Sequence, residues 1–298
     1  MKHFTIIVFF TFFIMTLSCC VPKQDVLPDN PYIVGDGNKP MVIAHGGAKL
    51  LFPENTVLAF DSSFLLGVDV LEMDIRLTKD SILVTHHDAG IDNTSDGSGL
   101  VADYTYEELL AYNFGYTFTD IYGKKPYVDK KVDIAKLEDL FITYPSISMI
   151  IEIKDEGDYG KASARQMKKL IEDYQMQDKV IIASFHHDVL QYFLEITDKK
   201  IPISTSQKDA TKFVLSSKTW TGFLYFPEAV ALQLPLKEAG LNLGTKRVIN
   251  SAHHHNMAIH YWTINEKEEM RDLIEKGADG IITDRPDIMK ELLIEMGF

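Results

Sequence analysis

The chain has 298 residues, enough for one large α/β barrel or two modest domains, and its 46% apolar and 24% charged composition fits a folded body with a substantial core. A formal charge of −13, with no concentrated block of Lys and Arg, argues against a nucleic-acid partner. Both cysteines, Cys19 and Cys20, fall within the first twenty residues, so the folded body has neither a disulfide framework nor a thiolate metal site.

The N-terminal stretch "MKHFTIIVFFTFFIMTLSCC" differs from everything after it. One early lysine precedes an uncharged run from Phe4 to Leu17, too short to cross a bilayer comfortably as a permanent helix, so residues 1–18 read as a signal peptide. The run ends in "TLSCC" and gives way to the polar "VPKQDVLPDNP", which predicts a tether over residues 19–39. This pattern resembles a bacterial lipoprotein signal, in which cleavage leaves a lipid-modified cysteine. Cys19, preceded by Ser18, is the expected lipidation site. The resemblance implies export and a membrane partner reached through the lipid anchor; an ordinary secreted protein and an uncleaved anchor are the alternatives.

From Met41 onward, short apolar runs alternate with helical patterns, the signature of a parallel sheet covered by helices. The predicted strands are "MVIAH", "DVLEMD", "SMIIEIK", "KVIIAS", "IPIST", "GFLYF", "MAIHYWTI" and "GIITD". Helices are predicted over 55–66, 135–143, 159–174, 187–197, 208–216, 245–255, 266–276 and 286–296. In 159–174 the residues Ala164, Met167, Leu170, Ile171 and Tyr174 form one stripe. In 266–276 Asn265 is placed to cap the start and Gly277 the end. Eight such units imply a (β/α)8 TIM barrel in one domain, 40–298.

One segment departs from a plain unit. After "DVLEMDIRL" the turn-like "TKDS" leads into "ILVTHHD", too soon for a parallel crossover, so a hairpin is expected with Leu77 opposite Ile82 and Glu72 opposite His87. Residues 91–134, rich in Gly, Asp, Asn, Tyr and Lys, read as an insertion over the barrel mouth. Its aromatics, Tyr104 to Phe118, are expected chiefly to pack it onto the barrel. The "HHHN" at 253–256 reads as a helix end, with Asn256 as a left-handed cap, rather than as a metal site.

Strand alternation puts Glu72 and Asp74 on one face, and Glu152 and Lys154 likewise on theirs. Carboxylates buried in apolar strands need a neutralising charge, and three of them without cysteine suggest one hard divalent cation. The bland reading is that the strand ends are solvated, or that Lys154 and Arg76 form ordinary salt bridges there. Three carboxylates at the carboxyl ends of barrel strands favour the metal. His45 ends the first strand and His87 returns to the rim by the hairpin; two imidazoles near a cation suit proton transfer at phosphate-ester oxygens. His86 points to the other face.

The stretches "AHGGAKLLFPENT", "EMDIRLTKDSILVTHHD", "IEIK", "YWTIN" and "GADGIITDRPD" together resemble the glycerophosphodiester phosphodiesterase family in order and spacing, over nearly everything from residue 41 to the end. The resemblance implies that His45 and His87 are the acid-base pair, that Glu72, Asp74 and Glu152 hold the cation, with calcium favoured over magnesium, that Lys154 contacts the phosphate and that Trp262 lines the substrate pocket. Glu54 and Asn55 of "PENT" are expected to orient His45 or the first loop. Where the family often has His-Arg-Gly, this chain has His45-Gly46-Gly47, and backbone amides opened by the glycines, Gly46 first, are expected to bind a phosphate oxygen instead.

The implied reaction is metal-dependent hydrolysis of glycerophosphodiesters to glycerol 3-phosphate and an alcohol. Its alternatives are a lysophospholipase D, a teichoic-acid glycerophosphodiesterase, or a surface lipoprotein that binds such diesters without cleaving them; the intact histidine pair weighs against the last.

Overall fold

The computed structural model describes residues 21–35 and 37–298. The expected signal peptide, and Cys19 after it, lie outside the described residues. The strands in chain order are β1 (Met41–Ala44), β2 (Val70–Leu77), β3 (Leu83–Thr85), β4 (Ser148–Ile153), β5 (Val180–Ala183), β6 (Ala231–Pro235), β7 (Lys237–Glu238), β8 (Leu241–Asn242), β9 (Ala258–Trp262) and β10 (Gly280–Thr283). Parallel neighbours run β5-β4-β2-β1-β10-β9-β6. The ring closes through the extended residues 201–205, where Ile203 bridges to Ile182 and Ser204 to Ala231. Counting that segment, eight parallel strands follow one another around the ring in chain order, which is a (β/α)8 barrel.

The covering helices are α1 (Val57–Leu66), α2 (Tyr106–Leu109), α3 (Leu137–Thr143), α4 (Gly157–Asp173), α5 (His187–Ile196), α6 (Gln207–Thr219), α7 (Lys246–His254), α8 (Lys267–Glu275) and α9 (Pro286–Met296). All eight predicted helices are present. On α4 the stripe is real, with Ala164, Met167 and Ile171 fully buried. Along β2 the outward Leu71, Met73 and Ile75 pack into the layer beneath the helices, while Val70 joins Ile43, Ile150, Ile181 and Ile282 inside the barrel.

Four expectations change. "GFLYF" is not a strand: residues 222–224 form a single 3-10 turn, and the barrel strand is β6, nine residues further on from Gly222. The apolar pattern misled because Leu224 and Phe226 face solvent, whereas the true strand is interrupted by the inward Gln233. The hairpin register is shifted by one, pairing Leu77 with Leu83 and Ile75 with Thr85. Its cause is the turn: the Thr78 N–H donates to Ile82 O (2.9 Å), the Ile82 N–H donates to the Thr78 hydroxyl (2.9 Å), and Ser81 takes a left-handed φ of 64°, so three residues close the loop instead of four.

The insertion 91–134 packs beside this hairpin rather than over the mouth, and none of it lines the central cavity. Its aromatics do pack: Phe114 is buried against His86, and Tyr104 meets Tyr112 edge-on. Finally, the expected tether is docked from its first described residues. It crosses the amino-terminal face of the barrel, where Gln24 N–H donates to His255 O (3.1 Å), the Asn30 amide to Val230 O (2.8 Å) and Val34 N–H to Asp279 Oδ1 (2.8 Å), with Tyr32 buried beneath the inner apolar residues. The "HHHN" ends α7 as expected, with Asn256 at φ 60°; His253 pairs with Asp279 at 2.8 Å.

Candidate active site

The carboxyl ends of β1, β2, β4 and β10 bring their polar residues to one side of the barrel mouth. β1 stops at Ala44 and hands over to a single turn, His45–Gly47. That turn requires Gly47, whose φ is 76° and where a Cβ would lie 2.7 Å from the Ala59 Cβ. The turn aims the largely covered His45 ring at Asp284, with Nδ1 2.6 Å from Oδ1. Asp284 follows β10 and is held in turn by Asn265, whose amide donates to Oδ2 (2.7 Å) and whose oxygen accepts the Asp284 N–H (2.9 Å). Burial alone depresses His45, but the hydrogen bond it donates to Asp284 and the charge of Glu72 outweigh it, and the imidazole is raised above its ordinary value.

Glu72 and Asp74 both project inward from β2 and are almost fully buried. Burial and the neighbouring Asp74 charge push Glu72 up to about 7. Asp74 lies opposite Glu152 in the β2–β4 ladder, which sets the two carboxylates side by side. Lys154, just past β4, places Nζ 3.0 Å from Asp74 Oδ1 and 2.9 Å from Glu152 Oε1. Burial raises the Asp74 carboxyl, but Lys154, His87 and the Asn55 amide hold it below its ordinary value. Glu152 lacks the amide, and its burial outweighs Lys154 to raise it.

Oxygen atoms of Glu72, Asp74 and Glu152 lie within 4.8 Å of one another. One ammonium against three buried carboxylates leaves uncompensated negative charge, and the raised Glu72 is its signature. An all-oxygen donor set of this kind fits a hard divalent cation.

Asn55 holds the first loop, its N–H donating to Gly46 O (2.8 Å). Sitting at a left-handed φ of 56°, it also clamps Asp74, donating its amide to Oδ2 (2.9 Å) and accepting the Asp74 N–H at Oδ1 (3.1 Å). Glu54 stands apart, 3.9 Å from Lys49. Gly46 also differs from expectation: its N–H is not open to phosphate but donates to Glu72 Oε2 at 2.8 Å, so the glycine turn anchors a carboxylate of the cluster. His87 lies on the cavity wall, half exposed, with Nδ1 2.8 Å from Asp88. His86, as expected, turns away and is buried between Asp88 O and Thr94.

Three residues of this arrangement have roles that the residue pattern did not predict. Asp284 is one; the logic applied to Glu72, a carboxylate at the end of an apolar strand, points to it in "GIITD". Asn265, expected to cap α8, is committed to Asp284 instead. Arg76, weighed as a partner of the cluster, pairs with Asp155 (3.1 Å) and donates to the His87 carbonyl from Nε (3.0 Å) and Nη2 (2.8 Å), fixing the loop that carries His87.

His45, Glu72, His87, Glu152 and Lys154 open onto one cavity of about 620 Å3, with Asp74, Asn55, Asp284 and Asn265 behind its wall. Its polar half holds His45, Glu72, His87, Glu152 and Lys154; its other half, beneath α6 and the β7–β8 hairpin, is walled by Val214, Leu215, Leu234, Leu241 and Leu243. Trp262 is part of the wall, edge-on to Phe185 at 6.0 Å.

The model of the glycerophosphoryl diester phosphodiesterase family matches residues 45–288. The chain belongs to this family. It is 32% identical over 259 residues to a glycerophosphodiester phosphodiesterase of Bacillus altitudinis, a match covering 86% of this chain and 98% of that protein. A lysophospholipase D of Rattus norvegicus is 24% identical over 280 residues, covering 85% of this chain and 86% of that one. The phosphodiesterase of Oleispira antarctica, solved in complex with the product sn-glycerol 3-phosphate, shares the fold with a TM-score of 0.70 at 19% identity, over 86% of this chain and 97% of that chain. As a member of this family, the phosphodiesterase is a hydrolase acting on glycerophosphodiesters.

Proposed function

We propose that the enzyme releases glycerol 3-phosphate and an alcohol from glycerophosphodiesters by a two-histidine reaction that depends on one divalent cation. Glu72, Asp74 and Glu152 would hold that cation, with calcium favoured over magnesium because a loose set of carboxylates suits the larger ion. The observation that carries the reading is the carboxylate cluster, three buried acids against one lysine, facing the same cavity as two histidines. When bound, the cation supplies positive charge to offset the negative charge growing on the phosphate oxygens.

The remaining chemistry belongs to the chain. His45, with Nδ1–H committed to Asp284, presents Nε2 as the base that takes the proton of the attacking oxygen as it bonds to phosphorus; that oxygen belongs to water, or to the glycerol 2-hydroxyl with water then opening the cyclic phosphate to glycerol 3-phosphate. His87, on the open side of the cavity, gives a proton to the alcohol oxygen as its bond to phosphorus breaks. Lys154 is assigned to a phosphate oxygen, Trp262 to the wall beside the alcohol, and Gly46 and Asn55 to holding Glu72 and Asp74 in place. We further propose that the enzyme is exported and anchored through Cys19, on the strength of the residue pattern of its leader.

A second reading, lysophospholipase D activity, is favoured by the aliphatic half of the cavity, which offers apolar surface well beyond what a small head group needs. Incubation with glycerophosphocholine and calcium, followed by a chelator, tests the first reading. Release of glycerol 3-phosphate that survives chelation, or that persists in His45→Ala or His87→Ala, refutes the mechanism. Release of choline and a monoacyl glycerol 3-phosphate from a monoacyl glycerophosphocholine decides between the two.

A further inference from the structure

Three large apolar side chains stand in solvent within residues 220–226: Trp220 is 81%, Leu224 65% and Phe226 74% exposed. They belong to the connection from α6 to β6, which the barrel topology places on the amino-terminal face, opposite the catalytic mouth. Alternation fixes their direction. Tyr225 turns inward against Phe213 (5.5 Å) and His255 (5.2 Å), so its neighbours Leu224 and Phe226 turn out. Arg247 stacks its guanidinium 4.0 Å from the Trp220 ring, a cation–aromatic pair at the edge of the patch. Three large apolar side chains exposed within seven residues call for a partner, and Trp beside a cation suits the boundary between lipid head groups and acyl chains.

The course of the chain indicates what covers the patch. His255, which packs on Tyr225, donates Nδ1–H to the Pro22 carbonyl at 2.6 Å, so the docked N-terminal segment begins beside this connection. Three residues upstream of Pro22 is Cys19, the proposed site of the lipid anchor, and the inference rests on that reading. The anchored end of the chain thus joins the fold next to this exposed apolar loop. We propose that this face is a lipid-docking surface, with Trp220, Leu224 and Phe226 entering the interfacial layer and the catalytic mouth turned away from the membrane. The inference is independent of the reaction mechanism.

The two tryptophans make a direct test, because Trp220 lies on this face and Trp262 in the cavity wall. The full chain is mixed with vesicles of phosphatidylcholine and phosphatidylglycerol whose acyl chains are brominated, and tryptophan emission is followed. Quenching in the wild type that disappears in Trp220→Phe is the expected result. Quenching that persists in Trp220→Phe means the mouth meets the lipid and overturns the proposal; so does an unquenched wild type, which would leave the patch to a protein partner. Leu224→Ser combined with Phe226→Ser is expected to lose most of the Trp220 quenching while hydrolysing glycerophosphocholine at the wild-type rate. Unchanged quenching in that double variant also overturns the proposal.

Discussion

Asp284→Asn separates a catalytic pairing of His45 from a structural one. In the native site Asp284 accepts from His45 Nδ1 at 2.6 Å on one oxygen and from the Asn265 amide at 2.7 Å on the other. An asparagine at 284 keeps its oxygen toward Asn265, which has only a donor to offer there, and therefore turns its NH2 toward His45. The ring must then accept at Nδ1 and carry its proton on Nε2, the atom that serves as base. A positioned base contributes about 10²–10⁴-fold, so trapping the wrong tautomer is expected to lower kcat by about 10³, or roughly 4 kcal/mol at 1.36 kcal/mol per tenfold. KM changes little, since Asp284 does not line the cavity. The pH profile gives an independent reading. A base works deprotonated, and Asp284 raises His45, so the native acid limb lies above that of an ordinary imidazole and moves to lower pH in the variant. Initial rates of glycerol 3-phosphate release between pH 5 and 9 measure both effects. A kcat within tenfold of wild type, or an acid limb that stays in place, refutes the assignment of His45 as base.

Asn55→Ala removes a charge-assisted hydrogen bond to Asp74 and a backbone one, and forces alanine into a left-handed conformation; about 4 kcal/mol of stability should be lost in urea unfolding. Asn55→Gly, which relieves only the backbone, should lose about 1 kcal/mol less, and a loss below 1 kcal/mol for Asn55→Ala would show that the clamp is not holding Asp74. In chelator-treated protein, Glu72 has a higher pKa folded than unfolded, so stability should fall as pH rises from about 4.5 to about 7, by on the order of 2–3 kcal/mol. Glu72→Gln should flatten that slope; an unchanged slope would place the titration elsewhere. Deleting residues 21–34 strips Tyr32 and its neighbours from the base and leaves buried carbonyls unpaired, for an expected loss of about 3 kcal/mol or more. An unchanged denaturation midpoint would mean that the docked segment adds nothing to the fold.

The barrel and much of its chemistry could be read from residue order because both depend on local pattern. Strand alternation alone puts Glu72, Asp74 and Glu152 inside, and the ladder pairing Asp74 with Glu152 realises what that alternation predicts. Where local pattern is silent, the reading failed. The strand at 231–235 hides because Gln233 breaks its apolar run, while "GFLYF" looks like a strand although its apolar residues face outward. The hairpin register hinges on a threonine hydroxyl and one left-handed serine, a difference of a single loop residue. The contacts of Gly46 with Glu72 and of Asp284 with His45 join positions 26 and 239 residues apart, and only the closed ring brings them together.

The ring is not equally strong around its circumference. β2 and β4 are in register over Val70–Ile75 and Ser148–Ile153, whereas the extended segment 201–205 joins its neighbours through single bridges at Ile203 and Ser204. α6, whose Val214 and Leu215 wall the aliphatic half of the cavity, follows directly from that thinly stitched seam. Sub-global opening should therefore start there, and the amides of Ile203 and Ser204 should exchange with solvent before those of the β2–β4 ladder. The seam divides the mouth into a half that can yield to the shape of an incoming alcohol and a half, built on the longest ladder, that keeps the phosphate chemistry rigid while it does so.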